Sequence, residues 1–361
     1  MKLIHCADLH LDSPLSAHLT REQAKERRQE LLTACKQMTD FAVTEGVRAI
    51  LISGDLFDSN RVTKTTLHFI DDLILSHPEI DFLYLRGNHD PQAFWESFES
   101  TVPENLKLFD ASWTSYRYES VVVTGAELSP DNKDRIFGEL VLSQEDVNIV
   151  MLHGQLSTAK AKDKTEIIPV REMKNRYIDY LALGHLHEYQ QGRLDTRGVW
   201  CYSGCLQGRG FDECGQKGFV LLDIKDGKVE SSFVPLNQRT CEEISVDISD
   251  AQTSPEILHC IEEAIRDIPD TSLVSIRLVG EQDVDVEKNL AYLLEQIRGC
   301  FYYCQIKDRT RLKISYDQYR LDKSLKGEFI RLMEQAKVRE EEKDTIIRMG
   351  LKALAGEEPT E

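Results

Sequence analysis

The sequence predicts an α/β fold, because short apolar strands alternate with helical segments and each strand runs directly into Asp, Asn or His. Residues 2–7 and 49–53 are apolar runs, and the spacing of side chains over 21–45 between them is helical. Apolar runs without an alternating polar face are typical of strands covered on both sides. Polar residues at the carboxyl ends of such strands mark the edge where α/β proteins bind ligands.

The same order continues along the chain. One helix and three strands are predicted next, at 63–75, 82–85, 147–152 and 180–183. Three strands then follow without helices between them, at 199–202, 218–223 and 229–234. This second pattern indicates a second sheet packed on the first. We therefore expect one large domain over residues 1–239.

The pattern changes after residue 239. Strand-like and helix-like segments alternate at 243–248, 255–268, 272–278, 286–297, 301–306 and 311–315. We assign them to a small α+β domain over residues 240–321. Residues 322–361 form a C-terminal helical segment with two apolar stripes, one of Phe329, Met333 and Ala336 and one of Ile347, Leu351 and Leu354. Each stripe needs a partner, which is either this chain or another protein.

Composition narrows the classes of protein that fit. The chain has 361 residues, of which 41% are hydrophobic and 29% charged, as in ordinary globular proteins. No apolar run reaches the roughly 18 residues of a membrane span, and the N-terminus lacks a signal-peptide pattern, so we expect a cytoplasmic protein without a membrane partner. We interpret its nine cysteines as reduced structural residues.

A net charge of −18 argues against a broad cationic surface for nucleic acid, although bound divalent ions would offset part of this negative charge.

Candidate site residues follow five predicted strands. They are Asp8 and His10, then Asp55 and Asp58, then Asn88 and His89, then His153, and finally His185 and His187. Carboxylates, neutral imidazoles and an amide are the donors that a pair of divalent ions needs, and glycines beside them allow close approach. Two such ions can bind a phosphoryl group and lower the pKa of a water. One such strand-end motif alone is weak evidence for a metal site. Five in order are stronger evidence, because together they contain half of the ten histidines of the chain.

The fragments resemble those of the calcineurin-like metallophosphoesterase superfamily over roughly the first 240 residues. The resemblance implies a four-layer α/β/β/α sandwich and two metal ions. One ion would be bound by Asp8, His10, Asp55 and His187, and the other by Asp55, Asn88, His153 and His185. It also implies that His89 is the catalytic acid, with Asp58 or Asp90 to orient it.

A narrower resemblance is carried by residues 5–14 and 202–209, which are similar to those of DNA-repair nucleases of the SbcD and YhaO type. In that family a small capping domain positions DNA and C-terminal helices bind an SMC-like ATPase. The resemblance implies a homodimer with DNA and such an ATPase as partners. It also implies that residues 240–321 position DNA and that residues 322–361 bind the ATPase.

We therefore predict a Mn²⁺-dependent DNA exonuclease. Endonuclease activity on single strands is a second activity that the sequence leaves open. Mixed oxygen and nitrogen ligation suits Mn²⁺ and also accepts iron or zinc. Two alternatives stay open: a phosphoesterase for small phosphodiesters or phosphoproteins, and a mainly architectural component of an ATPase complex. Arg27, Arg28 and Arg209 could contact phosphates, but Arg27 and Arg28 also fit a solvated helix face.

Overall fold

The computed structural model describes residues 1–15, 19–59, 61–91, 102–157, 167–236, 239–283, 286, 288–313 and 319–354. Contacts divide the chain into two compact units, Met1–Cys241 and Glu242–Glu361. The end of the predicted strand 311–315 lies outside the described residues. Each unit is described by itself.

The described part of the first unit contains two six-stranded sheets and one two-stranded sheet, with helices between their strands. In chain order its elements are β1 (Lys2–Cys6), α1 (Arg21–Glu45), β2 (Val47–Ser53), α2 (Lys64–Leu75), β3 (Asp81–Leu85), β4 (Leu106–Leu108), β5 (Thr114–Tyr118), β6 (Val121–Gly125), a 3₁₀ turn (Ile136–Glu139), β7 (Val147–His153), β8 (Gln155–Ser157), β9 (Ile167–Pro169), α3 (Val170–Met173), β10 (Tyr180–Gly184), β11 (Gln190–Arg193), β12 (Val199–Tyr202), β13 (Gly218–Lys225) and β14 (Lys228–Pro235).

The strand order of the two sheets corrects the sequence-based assignment. The first sheet runs β14-β13-β1-β2-β3-β4 and the second β11-β12-β10-β7-β6-β5. The strands predicted at 218–223 and 229–234 therefore belong to the first sheet, where β13 pairs antiparallel with β1. Conversely, β7 and β10 are parallel neighbours in the second sheet. Buried parallel strands have the same apolar sequence pattern in both sheets. The pattern alone therefore could not show which strand belongs to which sheet.

The α/β prediction with four layers is confirmed by the way alternate residues of each strand face different cores. Ile4 and Ile50 of the first sheet pack against α1 and α2, together with Leu31 and Met38 of α1. Neighbouring Leu3, Leu51 and Leu83 pack instead against Ile149, Met151 and Ala182 of the second sheet. The outer face of the second sheet is covered by the 3₁₀ turn and α3, through residues such as Phe137 and Met173.

Helix α1 is fixed at both ends by its own sequence. Thr20 and Gln23 form a reciprocal capping box, with Gln23 N donating to Thr20 Oγ1 at 3.2 Å, and Gly46 ends the helix in the left-handed conformation at φ 64°. Arg27 is fully buried and donates to Glu30 and to the carbonyl of Gly208. The interpretation of Arg27 as part of a solvated helix face is therefore wrong.

The second unit has its own core. Its elements are β15 (Cys241–Asp247), α4 (Ser254–Ile265), β16 (Leu273–Val279), β17 (Glu281–Asp283), α5 (Leu290–Ile297), β18 (Tyr303–Asp308), β19 (Arg311–Lys313), α6 (Leu325–Gln335) and α7 (Glu340–Leu354), with a 3₁₀ turn at Arg298–Cys300. Apolar side chains of α4 and α5, such as Ile257 and Leu293, pack against β15, β16 and β18. Strand β15 begins on Cys241, the last residue of the first unit.

Helices α6 and α7 contact each other. Phe329 of α6 lies directly against Gly350 of α7, and Met333 and Ile347 are buried. The sequence allowed the apolar stripes to pack either on this chain or on another protein. Phe329, Met333 and Ile347 pack within this chain. Among the described helices, none combines the length and the apolar character needed to cross a membrane.

Candidate metal centre

The loops after β1 and β2 run side by side and carry four of the predicted site residues. Asp8 N donates to Gly54 O and His10 N donates to Asp55 O, each at 3.0 Å. Asp58 N then donates to Leu11 O at 3.0 Å. These hydrogen bonds extend the pairing of the two strands into the loops and fix the backbone that carries the candidate ligands.

Several candidate ligands have strained backbone conformations. Asp8, His10, Asp55 and His185 have positive φ angles of 54°, 45°, 52° and 101°. Such conformations cost about 1–3 kcal/mol each for residues other than glycine and cluster at functional sites. The fold therefore tolerates strain at the positions where these side chains converge.

Asp55 lies at the middle of the cluster. Its Oδ2 is 3.7 Å from His10 Nε2 and 3.4 Å from His153 Nε2, while its Oδ1 accepts from His89 N at 2.9 Å. One carboxylate thus reaches towards histidines from both sheets. This is the position that a bridging ligand requires.

The first group of candidate ligands joins Asp8, His10 and His187, whose donor atoms lie within 4.8 Å of one another. His10 Nε2 and His187 Nε2 are 3.2 Å apart. Ligands about 2.1 Å from one ion at angles of 90–110° are separated by about 3.0–3.4 Å, so this spacing fits a shared ion.

The second group joins Asp8, Asp55 and His153 within the same limit. Asn88 Oδ1 lies 3.1 Å from His153 Nε2. The backbone N–H of His185 donates to both oxygens of Asp8 at 3.0 Å, and its ring lies edge-on to that of His153 at 5.5 Å between centroids. All seven predicted ligands are thus brought to one place, between the carboxyl ends of strands from two sheets.

Three glycines leave the room that this arrangement needs. A Cβ on Gly87 would lie 2.1 Å from Asp55 Oδ1, and one on Gly54 would lie 2.2 Å from His153 Nδ1. A Cβ on Gly184 would lie 2.1 Å from Ser53 O and 2.7 Å from His153 Nδ1. The oxygen and nitrogen donor set and these close approaches fit a site for divalent metal ions.

Burial and mutual charge set the pKa values in the metal-free protein. Burial, followed by the positive charge of Arg209, lowers the pKa of His10 to about 3, so this imidazole is neutral and available as a ligand. Burial alone would lower the pKa of His153, but its hydrogen bond with Asp55 and the charges of Asp55 and Asp8 raise it to about 9. Burial raises the pKa of Asp8 to about 6.

His89 and its two predicted orienting groups have separate surroundings. The ring of His89 is exposed, and its Nδ1 lies 3.2 Å from the carbonyl oxygen of Asp58. The Asp58 carboxylate instead lies 3.1 Å from His10 Nδ1 and 2.7 Å from Arg209 Nη1. Asp90 is buried and accepts from the backbone N–H groups of Phe57 and Gly87, each at 2.8 Å. In these contacts Asp58 meets His89 through its backbone carbonyl and not through its carboxylate. Asp90 accepts backbone hydrogen bonds from the loops after β2 and β3.

Glu213 is a site residue that sequence reasoning missed. Its Oε1 lies 2.6 Å from His187 Nδ1 and accepts from Arg209 Nη2 at 2.7 Å. From the sequence, Arg209 was a candidate only for contacting phosphates, and here it contacts Asp58 and Glu213 at the edge of the site. No signal in the sequence pointed to Glu213, because it lies outside the residues 202–209 that carry the narrower resemblance.

The fold and the donor set fit a metal-dependent hydrolase of phosphoester bonds. Residues 1–189 match the family of calcineurin-like phosphoesterases, and the chain belongs to that family. Members of this family bind divalent metal ions.

Three relatives extend the likeness beyond the residues matched to the family. The chain is 28% identical over 299 residues to the uncharacterized metallophosphoesterase YhaO of Bacillus subtilis (strain 168), covering 77% of this chain and 71% of YhaO. It is 23% identical over 304 residues to the DNA double-strand break repair protein Mre11 of Sulfolobus acidocaldarius, covering 80% and 77%. It is 24% identical over 294 residues to the SbcD component of the nuclease SbcCD of Staphylococcus saprophyticus, covering 72% and 76%.

Proposed function

We propose that this protein is a metal-dependent DNA nuclease that hydrolyses phosphodiester bonds in DNA repair or recombination. The observation that carries the proposal is the convergence of carboxylate, imidazole and amide donors around Asp55, from loops of both sheets. The relatives named as a nuclease component and as DNA double-strand break repair proteins support DNA as the substrate.

The proposed ligands divide between two ions that share Asp55. Asp8, His10 and His187 complete one set, and Asn88, His153 and His185 complete the other. Two divalent ions, which we propose to be Mn²⁺, would neutralise charge on a phosphate and supply a water of lowered pKa. The buried carboxylates and the close glycines hold these donors in place before substrate binds.

His89 is proposed to act on the substrate directly. Its backbone N–H is held by Asp55 and its Nδ1 by the carbonyl of Asp58, which leaves Nε2 as the nitrogen that can reach a bound phosphate. A protonated imidazole there can donate a proton to the leaving oxygen or stabilise charge on the phosphate. Asp58 contributes to this role by positioning the ring.

The direct test is a nuclease assay on linear and single-stranded DNA with Mn²⁺, using wild-type protein and two variants. In His89→Ala, kcat should fall about 100- to 10,000-fold, because a general acid contributes about that much. In Asp55→Asn both bound ions and activity should be lost. His259→Ala is the matched control, because His259 is on α4 in the other unit.

Full nuclease activity in both site variants would overturn the proposal. The acidic composition, with a net charge of −18, favours one competing function, a phosphoesterase for small or protein substrates. The two functions differ in salt dependence, because DNA affinity falls steeply as salt rises whereas the affinity for a small phosphodiester changes little. Hydrolysis of a small phosphodiester without salt-sensitive DNA binding would favour the competing function.

We also propose an SMC-like ATPase as a partner, with the protein acting as a homodimer and residues 240–321 positioning DNA. Helices α6 and α7 keep exposed apolar side chains after packing on each other: Leu325 and Leu332, and Ile346 and Met349. These residues suit a coiled-coil partner. Removal of residues 325–361 should abolish binding to the candidate ATPase while Mn²⁺-dependent hydrolysis of a small phosphodiester persists, and retained ATPase binding would contradict this assignment.

A further inference from the structure

Two imidazoles of the proposed site face carboxylates through the nitrogen that points away from the site. His187 Nδ1 lies 2.6 Å from Glu213 Oε1, and His10 Nδ1 lies 3.1 Å from Asp58 Oδ1. The Nε2 atoms of the same two rings lie 3.2 Å apart, on the side of the proposed ligands. Both rings therefore have an anionic neighbour behind them.

The contact with Glu213 selects one tautomer of His187. A neutral imidazole has one N–H donor and one acceptor nitrogen, and an ionised carboxylate only accepts. Arg209 Nη2 also lies 3.2 Å from His187 Nδ1, but the contact with Glu213 Oε1 at 2.6 Å is shorter, and an unprotonated Nδ1 would be repelled by the carboxylate at that distance. The proton therefore lies on Nδ1, which leaves the lone pair of Nε2 directed at the proposed site. A carboxylate in this position also makes the imidazole a stronger electron donor.

Arg209 fixes Glu213 and connects it to Asp58. Its Nε and Nη2 donate to Glu213 Oε1 at 3.0 and 2.7 Å, its backbone N–H donates to Oε2 at 2.7 Å, and its Nη1 donates to Asp58 Oδ1 at 2.7 Å. The side chain of Glu213 is only 3% exposed. Glu213 is thus paired with a guanidinium group that holds it as an ionised, fixed acceptor.

The other candidate ligand group is built differently. The Nδ1 atom of His153 lies 2.9 Å from the backbone carbonyl of Ser53, which is a neutral acceptor that no side-chain substitution removes. The two halves of the site therefore differ in the group behind the histidine. A change at Glu213 should affect one half and leave the other intact.

We propose that Glu213, held by Arg209, is a positioning residue that sets the tautomer and orientation of His187 and so selectively strengthens one of the two metal sites. This inference rests on the proposed function only in assuming that the site binds two divalent ions. It assigns a role to a carboxylate that lies outside the donor groups around Asp55.

The test is calorimetric titration of the full-length metal-free protein with Mn²⁺ alone. Wild-type protein should bind two ions. In Glu213→Gln one site should lose affinity about 10- to 100-fold, as is typical when an outer carboxylate of a metal-bound histidine is removed, and the other should be unchanged. Asp179→Asn is the matched control, because Asp179 also forms a two-pronged pair with an arginine, Arg197, but precedes β10 at the end of the strand away from Gly184. Both affinities should be unchanged in that variant.

Unchanged affinities in Glu213→Gln, or equal weakening of both sites, would overturn the inference. A second measurement does not depend on whether the variant folds. Nitrogen-15 NMR of the metal-free wild-type protein, at alkaline pH where the imidazole is neutral, should show His187 with its proton on Nδ1. A proton on Nε2 would overturn the inference, whereas failure of the wild-type protein to bind Mn²⁺ would overturn the proposed function itself.

Discussion

Asp55 shows how one residue can depend on many parts of the chain. It follows β2, its carboxylate approaches histidines from β7 and from the loop after β1, and it accepts the N–H of His89. Burial would raise its pKa, but the hydrogen bonds from His153 and His89 lower it, so the carboxylate stays ionised. An ionised carboxylate that two groups of donors share suits a bridging role.

The raised pKa of His153 predicts a pH-dependent metal affinity. Because that pKa is about 9, the metal-free protein holds a proton on His153 at neutral pH, and metal must displace it. Affinity for Mn²⁺ should therefore rise with pH, by about tenfold per unit for one displaced proton, and level off above the pKa. Calorimetry in buffers of different ionisation enthalpy counts the protons released. An affinity independent of pH from about pH 6 to pH 9 would contradict this expectation.

Strand ends and the glycines beside them are the elements that assemble the site. Residues 8, 55, 88, 153 and 185 could be proposed as ligands from the sequence because each lies at or just beyond the end of an apolar strand, and a strand end fixes where the next side chains lie. Sheet membership could not be identified, because β3 and β10 are both short buried parallel strands. Glu213 could not be distinguished among 62 acidic residues, since its partners become neighbours only on folding.

Gly87 provides a test of the close packing between these elements. In Gly87→Ala the new Cβ would lie 2.1 Å from Asp55 Oδ1 and 2.6 Å from Asp55 N, so the proposed bridging carboxylate must move. A displacement of about 1 Å costs on the order of 100-fold in activity, which we expect in a phosphodiesterase assay. Gly138→Ala is the control, because a Cβ there meets no atom within 4 Å. Equal activities of the two variants would show that the close approach is unimportant.

At the scale of the whole molecule, every proposed ligand lies in the first unit, Met1–Cys241. The three cores around its two sheets also lie entirely within that unit. The role of residues 240–321 in positioning DNA stays a prediction. The proposed function therefore places catalysis and the positioning of DNA in different parts of the chain.

A fragment of residues 1–241 separates these two assignments. It should hydrolyse a small phosphodiester with Mn²⁺ as fast as the whole chain, because it contains the proposed ligands and their supporting cores. Its DNA cleavage should fall if the second unit positions DNA. Circular dichroism checks that the fragment folds, and the Asp55→Asn version of the fragment is the inactive control. Undiminished DNA cleavage by the folded fragment would refute the capping role.

Side chains from two sheets are proposed to hold a pair of divalent ions around Asp55. Anomalous scattering from a crystal of the protein grown with Mn²⁺ measures this directly. The expected result is two peaks about 3.5–4 Å apart on either side of the Asp55 carboxylate, one beside His10 and His187 and the other beside Asn88 and His153. A well-ordered crystal with one peak, or with no manganese among these side chains, would contradict the account.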